Sequence, residues 1–128
     1  MNVVLYVRTS TKTQDINEQI TSLTTVCNNN GWTIVNVFKD VGISGLNNDR
    51  KGLNDMITYT NDYNIDRVVI TETSRLSRDM EYTKHLIDIL TTTIYINDIN
   101  KHITSHKDIP NEILYANRES KKIRHRLK

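Results

Sequence analysis

The feature that most constrains this chain is a rhythm. Four apolar, β-branched runs, VVLYV at 3–7, WTIVNVF at 32–38, RVVIT at 67–71 and TIYI at 93–96, recur roughly thirty residues apart, the length of a strand-helix-strand unit. Runs of this kind fill parallel strands that are covered on both faces, because every side chain along them meets an apolar layer. Between the runs, apolar residues return at helical spacing. Ile16, Ile20, Leu23 and Cys27 follow the first run, with Asp15 and Glu18 placed for the positive first turn of a helix and Gly31 able to end it in the left-handed conformation. Leu53, Met56, Ile57 and Thr60 mark a second helix, and Tyr82, Leu86, Ile89 and Leu90 a third. Parallel strands need crossover connections, and helices in those crossovers must lie on the sheet's faces. The expectation is an α/β fold with a mostly parallel central sheet of four to five strands and helices on both faces.

Beyond Ile96 the pattern weakens, and 97–109 reads as an irregular connection. Pro110 suits the first turn of a last helix, in which Ile109, Ile113, Ala116, Ser120, Ile123 and Leu127 alternate in steps of four and three. That is a narrow seam for another helix. Arg118, Lys121, Lys122, Arg124, Arg126 and Lys128 mostly take its other faces. Residues 1–117 hold 11 Lys/Arg against 14 Asp/Glu, a net of −3, whereas 118–128 hold 6 against 1, a net of +5. A cationic helix of that density is either a solvated end or a contact for an anion, of which nucleic acid is the commonest inside a cell. A chain of 128 residues, 37% hydrophobic, fits one core. It has no apolar run of membrane-spanning length and no secretory leader, so a cytoplasmic location is expected. Cys27, the single cysteine, falls in the stripe of the first helix and reads as a small buried hydrophobe.

In open α/β sheets, ligands bind beyond the C-terminal ends of parallel strands, where loops converge and helix N-termini point their amides outward. Arg8 and Ser10 fall at such an end. So do Asp40 and Ser44 after the second run, with Arg50 on the same loop, and Arg75 and Arg78 after the third. Four guanidiniums on one edge suit a phosphate, since each can donate paired hydrogen bonds to its oxygens. A serine among them offers a nucleophile, with the arginines stabilising the charge of the transition state. No His or Lys near Ser10 in sequence supplies an obvious base. Taken singly, a serine at a strand end reads as a helix cap and an arginine on a strand as a surface ion pair. The convergence gives the phosphate reading its weight.

These residues also carry a family resemblance. Tyr6, Arg8, Ser10, Gln14 and Gln19 match the Y-x-R-x-S-x-x-x-Q-x-x-x-x-Q signature that opens the catalytic domain of serine recombinases, the resolvase/invertase family. FKDVGISG at 38–45, followed by Arg50, Gly52 and Leu53, resembles its D-x-G-x-S-G loop and R-x-G-L continuation, and SRLSRD at 74–79 resembles its D-R-L-x-R-D block. Ala116, Glu119, Ile123 and Arg126 are similar in spacing to the start of its long dimerisation helix. Several blocks in order are far more specific than one.

The resemblance implies site-specific DNA recombination. Ser10 would attack a backbone phosphate and form a 5′-phosphoserine link, with no cofactor and no catalytic metal. Arg8, Arg75 and Arg78 would grip the scissile phosphate and Arg50 would assist. Tyr6, Gln14, Gln19, Asp40 and Ser44 would support the site. Residues 1–108 would be the catalytic domain and 109–128 the start of a truncated helix for dimerisation and DNA contact. The partners implied are DNA and a homodimer that pairs into a tetramer, with a monomer the alternative for so short a helix. Two departures stand out: Ser74 occupies the place of the family's acidic residue, and the sequence reaches Lys128 without the family's separate DNA-binding domain, as expected either of a catalytic-domain fragment or of a short protein that takes its DNA contact from the basic end or from a partner. Both favour a second reading, a non-catalytic DNA-binding or regulatory module that keeps the phosphate pocket. A phosphate-responsive signalling domain ranks last, since the acidic cluster it needs is lacking. His102 and His106, four apart, read as surface residues without a third metal ligand.

Overall fold

The computed structural model describes residues 1–9, 16–42 and 50–110. Its centre is the VVLYV run, now strand β1 (Asn2–Thr9), with Val3 through Thr9 all buried. Helix α1 (Ile16–Asn30) follows, and Gly31, at φ 71°, supplies the left-handed residue after its end. Strand β2 (Thr33–Val41), helix α2 (Lys51–Asp62), strand β3 (Arg67–Ile70), the single turn α3 (Thr73–Leu76), helix α4 (Met80–Ile89), strand β4 (Thr93–Ile96) and strand β5 (Lys101–Ile103) complete the order, ending in a 3₁₀ turn at His106–Asp108.

The strands lie in the order β2-β1-β3-β4-β5. The first four are parallel and β5 runs antiparallel on the edge beyond β4. Alternation along each strand divides the core in two. On one face Val3, Leu5, Val7 and Val69 meet Leu23 and Cys27 of α1. On the other Val4, Tyr6, Val68, Ile70, Ile94 and Ile96 meet Leu53 and Met56 of α2 and Leu86 of α4. A fully buried aliphatic side chain contributes about 1.5–3 kcal/mol, so these two clusters dominate the stability of the sheet. Cys27 is fully buried, and burial pushes its thiol pKa up.

The α/β sheet with helices on both faces is as expected. Two details are not. The segment 97–109, expected to be irregular, contains β5 and the 3₁₀ turn, and the polar stretch at 73–79, which carries no helical period of apolar residues, contains α3. The last basic helix, with Arg118, Lys121, Lys122, Arg124, Arg126 and Lys128, lies outside the described residues. His102 and His106 sit on β5 and in the 3₁₀ turn, and no group of three metal-ligating side chains exists among the described residues. Nor is any helix among them long and apolar enough to cross a membrane.

Candidate phosphate site

The parallel strands β1, β2 and β3 all end at one edge, and Arg8, Asp40, Arg50 and Arg75 gather there. Register places Arg8 of β1 beside Asp40 of β2. Asp40, almost fully buried, works as a hub: Oδ1 accepts from the Gly52 amide at 2.8 Å, and Oδ2 accepts from the Leu53 amide at 3.0 Å and the Tyr6 hydroxyl at 2.7 Å. The first amides of a helix have no partner within it, and the N-cap residue Arg50 gives none from its side chain. Asp40 therefore caps α2 from the neighbouring strand. A Cβ on Gly52 would lie 2.8 Å from the Lys39 carbonyl carbon and 3.0 Å from Asp40 Cγ, so only glycine lets the helix start this close to β2. Burial pushes the Tyr6 phenol far above its ordinary range, and although Arg50 draws it down, Asp40 adds to the rise. The Tyr6 hydroxyl thus stays a neutral donor.

Arg8 and Arg50 are both buried, at 1% and 0% exposure, and both reach into α3. Arg8 donates through Nη2 to the Ser74 carbonyl at 2.6 Å and through Nε to the Arg75 carbonyl at 3.1 Å. Arg50 donates through Nη1 to the Arg75 carbonyl at 3.3 Å and through Nη2 to the Leu76 carbonyl. These are carbonyls that a one-turn helix leaves without donor partners. Arg75 returns the contact, its Nη1 donating to the Arg8 carbonyl at 3.1 Å while Nη2 lies 2.9 Å from Glu72 Oε1. Gln19 of α1 braces the same point, its Nε2 donating to the Arg8 carbonyl at 3.0 Å and its Oε1 accepting from the Arg8 amide at 3.4 Å.

The result is a concentration of positive charge. Burial first, then the Arg50 guanidinium, lowers the Arg8 pKa from 12.5 to about 10, and Arg75 and Arg78 push the same way. Lining this edge, the Nε groups of Arg50 and Arg75 are buried and without an acceptor among the described residues. Donors and positive charge held this way can take an anion. Two cavities, of about 430 and 500 Å³, lie elsewhere, against Asp66 and Thr91–Ile94 and beside the 3₁₀ turn.

Of the residues picked out in the sequence, Tyr6, Arg8, Gln19, Asp40, Arg50 and Arg75 come together. Arg78 is exposed, near enough to act on Arg8. Ser10, Gln14 and Ser44 lie outside the described residues. Sequence reasoning missed Tyr82, whose phenol is pushed up by burial and drawn down by the adjoining Arg50, and Thr9, whose Oγ1 accepts from the Gly42 amide at 3.3 Å. It also missed Glu72. Only Glu72 left a signal, its i,i+3 spacing to Arg75.

The comparisons agree with this geometry. The family model described as Resolvase, N terminal domain, matches residues 3–127. Among solved structures, the C-terminal catalytic domain of ISC1926 TnpA, an IS607-like serine recombinase, is 33% identical over 76% of this chain and 67% of that one, with a TM-score of 0.67. The N-terminal catalytic domain of TP901-1 integrase gives 23% identity over 99% of this chain and 98% of that one, with a TM-score of 0.76. A resolvase family site-specific recombinase from Streptococcus pneumoniae gives 18% identity over 99% and 90%, with a TM-score of 0.70. These last two share the fold. A search of curated proteins gives no significant match. With nearly its whole length matched and the arginine cluster assembled at the ends of β1, β2 and β3, the chain belongs to the resolvase N-terminal domain family, the catalytic domain of serine recombinases.

Proposed function

We propose that this domain cuts and rejoins DNA with Ser10 as the nucleophile. The Ser10 oxygen attacks a backbone phosphorus, the bond from phosphorus to the 3′ oxygen breaks, and the departing 3′ oxygen carries the proton away as a hydroxyl. A 5′-phosphoserine link remains. Attack on that link by the 3′-hydroxyl of another strand restores a phosphodiester and frees the serine. One ester replaces another, so no external energy source is needed.

The observation that carries this reading is the convergence of Arg8, Arg50 and Arg75 on one point at the end of β1, one residue before position 10. Arg75 and Arg78, the more accessible pair, contact the phosphate; Arg8 and Arg50, fully buried, hold α3 and add charge behind it. Tyr6 and Asp40 fix the start of α2, and Gln19 fixes the backbone of Arg8; Gln14 and Ser44 complete the support. Residues 1–108 form the catalytic domain, while the segment from 109 onward, with its six basic residues after 117, contacts DNA and pairs the domain with a second copy. Preorganised donors of this kind stabilise a transition-state charge by about 3–4 kcal/mol each.

The test is covalent capture. Incubation with nicked or supercoiled DNA carrying a recombination site is expected to give a protease-sensitive DNA adduct, absent in Ser10→Ala while DNA binding persists. One observation favours the binding-module reading: the guanidiniums of Arg8 and Arg50 already donate to backbone carbonyls of residues 74–76. If the intact protein binds DNA and never forms an adduct, that reading replaces the catalytic one.

A further inference from the structure

The arginine cluster has a carboxylate at its edge with no role yet. Glu72 is the N-cap residue of α3, in extended conformation at φ −152°, ψ 158°. A polar side chain at that position ordinarily accepts from the first amides of the helix. Glu72 makes no such bond. Its Oε1 lies instead 2.9 Å from Arg75 Nη2, while Arg75 Nη1 donates to the Arg8 carbonyl at 3.1 Å. Two of the three guanidinium nitrogens are thus held, one from α3's own N-cap residue and one from β1. Asp40 is turned to the start of α2 instead, its oxygens accepting from Tyr6, Gly52 and Leu53.

Electrostatics makes a counter-ion necessary here. Arg8 and Arg50 both donate to the Arg75 carbonyl, and the Arg75 guanidinium turns back to the Arg8 carbonyl, close enough to the buried Arg8 cation to lower its pKa. Its side chain is 20% exposed, and without a nearby negative charge like-charge repulsion would favour turning it out into water. Ser74, where the family pattern carries an acid, supplies no carboxylate, and its carbonyl is taken by Arg8.

We infer that Glu72 is a positioning residue whose carboxylate holds the Arg75 guanidinium against the end of β1, where it meets the DNA phosphate. The inference rests on the proposed cleavage reaction for its consequence, though the hold itself does not. With Glu72 at 42% side-chain exposure, the pair adds little to folding. Its loss therefore changes geometry rather than stability.

Two readouts test this in the full chain. In nitrogen-resolved NMR spectra, the Arg75 side-chain Nε–H signal, assigned by its disappearance in Arg75→Lys, is expected to show a restricted guanidinium in the wild type and a freely rotating one in Glu72→Gln. In the adduct assay, Glu72→Gln is expected to cut cleavage by about tenfold or more, with DNA affinity equal or tighter and the melting temperature unchanged. Glu81→Gln, which removes the same charge from a surface pair with Lys84 on α4, is expected to cleave at the wild-type rate. The inference is overturned if Glu72→Gln keeps the restricted signal, if it cleaves normally, or if Glu81→Gln slows cleavage as much. A wild type that forms no adduct removes the cleavage reaction instead, and the guanidinium signal still decides whether Glu72 holds Arg75.

Discussion

Gly52 has no room for a side chain, and Asp40 accepts three hydrogen bonds at once. Together they make the junction of β2 and α2 the most sensitive point of the site at the residue scale. Gly52→Ala would press a methyl group into the Lys39 carbonyl and is expected to cost about 1–3 kcal/mol in chemical denaturation. Tyr6→Phe keeps the packing and removes one of three donors to Asp40, so a smaller loss of about 1 kcal/mol is expected in the same measurement. A larger effect for Tyr6→Phe than for Gly52→Ala would contradict this ranking. Strand-end placement in the sequence identified Arg8, Asp40, Arg50 and Arg75 as neighbours, because strand ends in parallel sheets meet, while Tyr6 and Gln19 came only with the family resemblance. It could not tell which of the arginines would be buried. That depended on carbonyl acceptors in α3, an element with no apolar period to announce it.

At the scale of elements, α3 is a single turn, far below the length at which a helix holds itself together. Its carbonyls are tied down by side chains from β1 and the start of α2. Arg50→Met should therefore speed amide hydrogen exchange at Ser77, whose amide donates to the Thr73 carbonyl, more than at Val68 in the neighbouring strand. Equal protection at Ser77 in both proteins would show that α3 stands without Arg50. The 3₁₀ turn at His106–Asp108 depends on another carboxylate. The Thr104 amide and hydroxyl, followed by the Ser105 amide, lower the Asp108 pKa below its ordinary 3.8. A carboxylate depressed on folding stabilises above its unfolded pKa and loses that contribution as pH falls through the lower folded value. The Thr104 and Ser105 amide shifts are accordingly expected to titrate with a midpoint below 3.8 and to lose that titration in Asp108→Asn. Neither the turn nor β5 was visible in the sequence, because KHI is short, two-thirds polar and paired only on one side.

At the scale of the whole molecule, alternating runs and helical stripes were enough to identify a parallel sheet covered on both faces, since no other arrangement buries both kinds of segment. The order of the strands was not legible, because a crossover of a given length can place its strand on either side. Burial by two layers predicts how opening is distributed. Amides of Val4–Val7 and Val68–Ile70, central and covered on both faces, should exchange only on global unfolding, while those of Lys101–Ile103 on the edge should exchange first. Uniform exchange across the sheet would argue against that ordering.

The central place of β1 also bears on how the chain leaves the ribosome. Its first neighbour, β2, is complete by Val41, but its second, β3, begins only at Arg67, and the carbonyls that receive Arg8 belong to residues 74 and 75. Until that stretch has been synthesised, β1 carries an open strand edge and a cation with nowhere dry to go. Birth order and spatial order are at odds here, and the anion-binding end of the sheet closes only after residues 74–76 have followed β1, α1, β2, α2 and β3 out.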